Sequence, residues 1–146
     1  MNILLPIVFA GIAAIGNALF ALGQKQSSGV ENGLLFVGGS AFIAFLLSIL
    51  SSPLVGQFDV MTLIRGNCRS LLISGFGLFL TYVGFNLLYA KFGASQYVLY
   101  ASISIVTTSV VIGFIYLKEP MNVYHVASVL TAIAAVVLFS VGQSKV

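Results

Sequence analysis

The 146-residue chain is 60% hydrophobic and 6% charged, with six basic and three acidic side chains, a formal net charge of +3 and a mean hydropathy of +1.14. Soluble domains devote about a quarter of their residues to charge because they must present a polar surface to water, so a water-soluble globule is excluded and lipid is the solvent of this fold. The basic residues stand singly, which excludes a nucleic-acid groove or a polybasic lipid-binding patch, and the lone Cys68 cannot form an internal disulfide.

A bilayer core about 30 Å thick takes roughly 20 predominantly apolar residues in helical form, and five stretches meet that length. The first runs over residues 3–22. It lacks a basic leader segment and outlasts the apolar core of a signal peptide, so it reads as a membrane span rather than a cleaved leader. A polar connector from Gln24 to Gly33 leads to the second span, residues 34–52. The longest connection, 53–69, carries Asp59, Arg65 and Arg69 and precedes the third span, 71–90. A tight turn over 91–96 leads into the fourth span, 97–117. The fifth, 123–141, follows the still tighter Lys118-Glu119-Pro120-Met121-Asn122, which places spans four and five side by side and antiparallel. Pro120 ends span four, because the residue before a proline avoids helical geometry. Continuous apolar runs of this length argue against barrel strands. The expected fold is all-α, a polytopic bundle of five transmembrane helices in one domain, 1–146. No CxxC or HExxH spacing occurs, so no metal or cofactor is expected.

Five spans put the termini on opposite sides, so the positive-inside rule can be applied as a count. Arg65, Arg69 and Lys118 fall on the N-terminal side, and Lys25, Lys91 and Lys145 on the other. Three against three is either a chance even split or the mark of dual topology, in which copies insert both ways and pair antiparallel.

The stretch Tyr116-Leu117-Lys118-Glu119-Pro120-Met121-Asn122-Val123-Tyr124-His125, with the small-residue-rich helix that follows, resembles the end of the EamA-type repeat of the drug/metabolite transporter superfamily. The segment from Thr81 to Ser95, which includes Tyr82, Asn86 and Tyr89, is similar to that repeat's third helix and following turn. Span number, span order and short loops agree over essentially the whole chain. Many members of the superfamily join two inverted repeats, so the resemblance implies that this chain is one half of a ten-helix inverted-repeat transporter. A second copy of itself or a paralogue would complete it. Two departures stand out. The mid-helix proline common in the repeat's fourth span is replaced by Ser104-Ile105-Val106-Thr107-Thr108. The first-span glutamate of the related small multidrug resistance proteins is missing, since that span reads Ala13-Ala14-Ile15-Gly16-Asn17-Ala18-Leu19-Phe20. Proton-coupled export of lipophilic cations is therefore not expected.

Without an intramembrane charge, neutral polar and aromatic side chains are the candidate site. At α-helical spacing Tyr82, Asn86 and Tyr89 share one face of span three, and Tyr97, Tyr100, Ser104 and Thr108 rise along one side of span four. Asn17 and Gln24 lie seven apart in span one. The candidate substrate-binding residues are Asn17, Tyr82, Asn86, Tyr100, Ser104 and Thr108, converging on a cavity at mid-membrane depth. Each has a plainer alternative. Hydroxyls bond back to their own helix or join helices, Tyr97 and Tyr124 fit an aromatic belt, and the asparagines can hold helices together, since a carboxamide facing lipid is costly. Glu119 reads as an anion favoured by the dipole of span five, and His125 as an interfacial side chain. Gly38, Gly39, Gly75, Gly77, Ser128, Ala132 and Ala135 would permit close helix crossings.

These features point to a small-solute transporter acting as an antiparallel dimer in the cell membrane, a bacterial inner membrane in particular. The solute is expected to be neutral, zwitterionic or a lipid head group. The alternative is a non-transporting or heteromeric subunit. An enzyme is not expected, since no acid, histidine or cysteine constellation lies inside a span.

Overall fold

The computed structural model describes Leu4–Gln143, so Ile3 of the first span and Lys145 of the charge count lie outside the described residues. Five α-helices are formed: α1 (Leu4–Gln26), α2 (Gly33–Ser51), α3 (Val60–Phe92), α4 (Tyr97–Ser104) and α5 (Val123–Gln143). The helix α4 runs on into a twelve-residue π-helical segment, Ile105–Tyr116. Five helical stretches are long and apolar enough to cross a membrane, and no strand occurs among the described residues. The chain is an all-α, multi-pass membrane protein.

Exposure follows the same logic. Among the described residues the buried apolar set is Ala21, Val37, Phe85, Tyr89 and Ala132, while leucines and isoleucines such as Ile15, Leu47 and Leu72 point outward. In water so much contiguous apolar surface would drive association; in lipid it costs nothing. Hydroxyls inside the helices satisfy themselves locally. Ser40, Ser48, Thr81, Thr107, Ser128 and Thr131 each donate to the carbonyl four residues back, the plainer role expected for such groups.

Side-chain caps fix where helices begin. Asn32 Oδ1 accepts the Leu35 N–H at the start of α2. Asn122 Oδ1 accepts the N–H groups of Tyr124 and His125 at the start of α5. Asp59 accepts both the Thr62 N–H and the Thr62 hydroxyl and so caps α3. These bonds, the hydroxyl's first, hold the Asp59 carboxyl below its ordinary range.

That cap corrects one boundary. Much of the expected connection 53–69 is helix, because α3 starts at Val60 and carries Arg65 and Arg69 on its first turns. Thirty-three residues at 1.5 Å each span about 50 Å, well beyond the apolar core of a bilayer. The backbone of Asn67 leaves helical geometry (φ −130°, ψ 18°), so a kink separates the first two turns of α3 from its apolar length.

Contacts divide the chain into two compact units, Met1–Ala94 and Ser95–Val146. The first holds α1 to α3; the second holds α4, the π-helical segment and α5. In the second, Ile105 and Ser109 face the same cavity as Ser128, Val129 and His125, so the two spans joined by the Glu-Pro turn are adjacent and antiparallel.

Candidate functional site

In the first unit the polar chemistry gathers where α1 ends, α2 begins and α3 nears its end. Asn86 Nδ2 donates to Gln24 Oε1 at 2.8 Å. Both side chains are buried, Gln24 to 1% exposure and Asn86 to 8%. Two carboxamides that would be costly against lipid therefore satisfy each other across two spans. The pairing is incomplete. Among the described residues Gln24 Nε2 is buried with no hydrogen-bond partner, which leaves its N–H donors unmatched inside the contact of α1 with α3.

Aromatic rings pack the same contact of α1 with α3. Phe20 lies 5.1 Å from the Tyr82 ring and 5.6 Å from Phe85, and Phe85 stacks on Tyr89 at 5.1 Å. Ser27 closes the end of α1 by donating to the Gln24 carbonyl. Tyr82 is half-buried and Asn86 buried, four residues apart on α3. Asn17 is half-buried on α1, about 10 Å along the helix from Gln24 at 1.5 Å per residue.

Depth differs from the expectation of a midplane site. Gln24 sits in the last turn of α1, and Asn86 lies six residues before the end of α3, about 9 Å along the axis. The amide pair is therefore near one end of its unit.

Gly33 explains how the three helices meet there. A Cβ at this position would lie 2.5 Å from Asn86 Oδ1, so only glycine admits the bound amide. Gly33→Ala is expected to swing Asn86 off Gln24 and cost about 1–3 kcal/mol, the range for leaving buried polar groups unpaired. Paired with Asn86→Ala the same change should be neutral or favourable, because alanine is the better helix former by up to about 1 kcal/mol. Thermal unfolding of the four proteins of that double-mutant cycle in mild detergent checks this, and additivity would disprove the contact. Gly38, Gly39, Gly75 and Gly77, expected at close crossings, have nothing within 4 Å of a Cβ position. Gly38 and Gly75 instead line an open apolar groove of about 670 Å³ between α2 and α3.

The second unit places its groups by a different repeat. Tyr97 and Tyr100 contact each other on α4 with ring centroids 5.5 Å apart, and Ser104 is half-buried at its end. Beyond Ser104 the hydrogen bonds reach back five residues rather than four, so a side chain five positions on takes the place that α geometry gives to the fourth. Thr108, expected in line with Ser104, and Ser109 are both exposed, and of the two it is Ser109 that lines an open cavity of about 270 Å³ with Ile105, Glu119, His125 and Ser128.

The end of the π-helical segment shapes that cavity. Leu117 N donates to Ile112 O and Glu119 N to Gly113 O, the second reaching one carbonyl further back than in an α-helical Schellman cap. Lys118 takes the left-handed conformation this requires (φ 57°). The chain then folds back on itself. Glu119 Oε2 lies 3.1 Å from where a Cβ on Gly113 would stand, so the carboxylate rests on bare backbone. Ala132, expected at a close crossing, is buried in this unit, and Ala135 is half-buried.

Sequence reasoning passed over Ser109, because it assumed α periodicity, and read Glu119 only as an anion favoured by the dipole of span five, because nothing in a pattern of apolar residues marks Gly113 as its neighbour in space. Set against protein-family models, curated proteins and solved structures, the chain matches none of them. Among the described residues no three His, Cys, Asp or Glu side chains are grouped to hold a metal ion.

Proposed function

We propose that the chain is a small-solute carrier of the drug/metabolite type rather than an enzyme, one EamA-like repeat that pairs with an oppositely oriented second copy and works by alternating access. The reading is supported above all by the Gln24–Asn86 pair. Its uncharged amides join the same two helices that the rings of Phe20, Tyr82 and Phe85 bring together, with a buried donor at Gln24 Nε2 left over. A spare N–H in an apolar, aromatic contact, once opened to a solute, suits its carbonyl, hydroxyl or carboxylate oxygen better than a full charge. That chemistry favours a neutral or zwitterionic solute or a lipid head group. The even split of basic residues supports the antiparallel dimer, and the residues of the Glu-Pro turn support the family. The cell membrane, in a bacterium the inner one, is the proposed location.

Reconstituted into liposomes and offered neutral and zwitterionic solutes, the chain should give saturable uptake of at least one class above protein-free liposomes. Cells lacking the chain and cells overproducing it should shift the internal level of that solute in opposite directions. Identical solute profiles in the two strains, with no flux in liposomes, would overturn the reading.

A further inference from the structure

We propose that the cavity of the second unit, lined by Ser109, Glu119, His125 and Ser128, binds a small solute or head group through its ammonium group. This site is separate from the amide pair, and its test reads binding, so it stands whether or not the chain transports.

The charge inventory singles out Glu119. The chain has three acidic side chains, Glu31, Asp59 and Glu119. Asp59 is committed to the cap of α3, and Glu31 lies in the first connector. Among the described residues Glu119 alone of the three lines this cavity, and no lysine or arginine does. A carboxylate accepts hydrogen bonds and donates none, so its complement is a cation or a donor.

Its surroundings add acceptors. Ser128 spends its hydroxyl proton on the Tyr124 carbonyl at 2.7 Å, which leaves only lone pairs on Oγ. The carboxylate also rests at the C-terminal end of the segment Ile105–Tyr116, where a helix carries partial negative charge. These two negative features share one open cavity whose described lining holds no lysine or arginine, and an ammonium group is their complement. His125 makes the site suit more than a bare cation. Its Nδ1 accepts the Asn122 N–H at 3.3 Å, so the neutral ring carries its proton on Nε2 and offers that donor to a hydroxyl or ether oxygen. The volume of about 270 Å³ falls just under the usual range for small-molecule sites and suits an amino alcohol rather than a large lipophilic drug.

Gly113 is the device that makes this possible. Because it has no side chain, Glu119 can fold against the helix backbone instead of extending away from the turn.

Ethanolamine is the probe, with ethylene glycol and acetate as neutral and anionic controls, titrated calorimetrically into the full chain in detergent. Wild type should bind ethanolamine at least tenfold more tightly than ethylene glycol and show no acetate binding. Glu119→Gln, which keeps size and removes charge, should lose at least tenfold in ethanolamine affinity. Gly113→Ala should lose several-fold by displacing the carboxylate, with helicity unchanged by circular dichroism. Ser109→Ala, on the exposed side of the segment, gives a further variant should either of those fail to fold, and should weaken binding. Equal affinity for ethanolamine and ethylene glycol, or wild-type affinity in Glu119→Gln, would overturn the proposal. Nanodiscs identify the source of the ammonium group. If phosphatidylethanolamine discs suppress ethanolamine binding and phosphatidylglycerol discs do not, the occupant is a lipid head group; equal binding in both supports a free solute.

Discussion

Asn86→Leu is expected to remove uptake while leaving membrane insertion and assembly intact. Leucine fills nearly the same space, so the contacts of Phe85 and Tyr89 can persist, but it takes away the Asn86 amide that Gln24 Oε1 accepts from. Gln24 then keeps a buried amide with both ends unmatched, at about 1–3 kcal/mol per group. A solute that used the Asn86 amide would lose its match as well. Since each 1.4 kcal/mol is a factor of ten, uptake should fall by roughly one to two orders of magnitude. If the pair serves only to fasten α1 to α3, the order of failure reverses, and the detergent-stable assembly disappears before transport does. Both quantities should be measured on one preparation. Normal uptake by Asn86→Leu would remove Asn86 from the site.

The helices were legible because lipid imposes a simple rule: a run of about 20 apolar residues is a span. Five such runs were visible, and five helical spans are present. The start of α3 escaped because Arg65, Asn67 and Arg69 break the hydropathy of its first turns, although Asp59 three residues ahead of Thr62 carried the capping signal. Asn86 was legible as a carboxamide that lipid would not tolerate. Its partner was not, because nothing in one sequence says that Gln24, sixty-two positions away, ends its helix at the same level. The site in the second unit was hidden for a different reason. Thr107, Thr108 and Ser109 are equally plausible along a hydroxyl-bearing stretch, and only the repeat of the helix decides which one lines the cavity. A β-branched, apolar run such as Ile105–Tyr116 carries no mark that distinguishes a five-residue repeat from a four-residue one. Gly33 and Gly113 behave likewise: among fifteen glycines, these two alone would bring a Cβ within 4 Å of a neighbour. Each is made necessary by a polar side chain from elsewhere in the fold.

Adding two lysines beside Lys145 should force a single orientation and abolish uptake. The native count is three basic residues on each side, Arg65, Arg69 and Lys118 against Lys25, Lys91 and Lys145, and orientation follows the excess of such residues near the span ends. The extra pair moves the balance to three against five, which fixes the C-terminus on the cytoplasmic side. Every copy then points the same way. An antiparallel dimer cannot form from such copies, so the loss should be complete rather than partial, even though each chain still folds and inserts. Two lysines placed instead beside Lys118 bias the chain in the opposite sense and should be equally inactive alone. Coexpressed, the two variants supply one copy of each orientation, and uptake should return. Failure of that rescue, with both variants present in the membrane, would exclude an antiparallel pair of this chain. The unmodified chain gives the complementary measurement: a C-terminal reporter should be active from both sides at native expression. Activity on one side alone would mean that the even split is chance and that the second half of the carrier, if there is one, comes from a different chain.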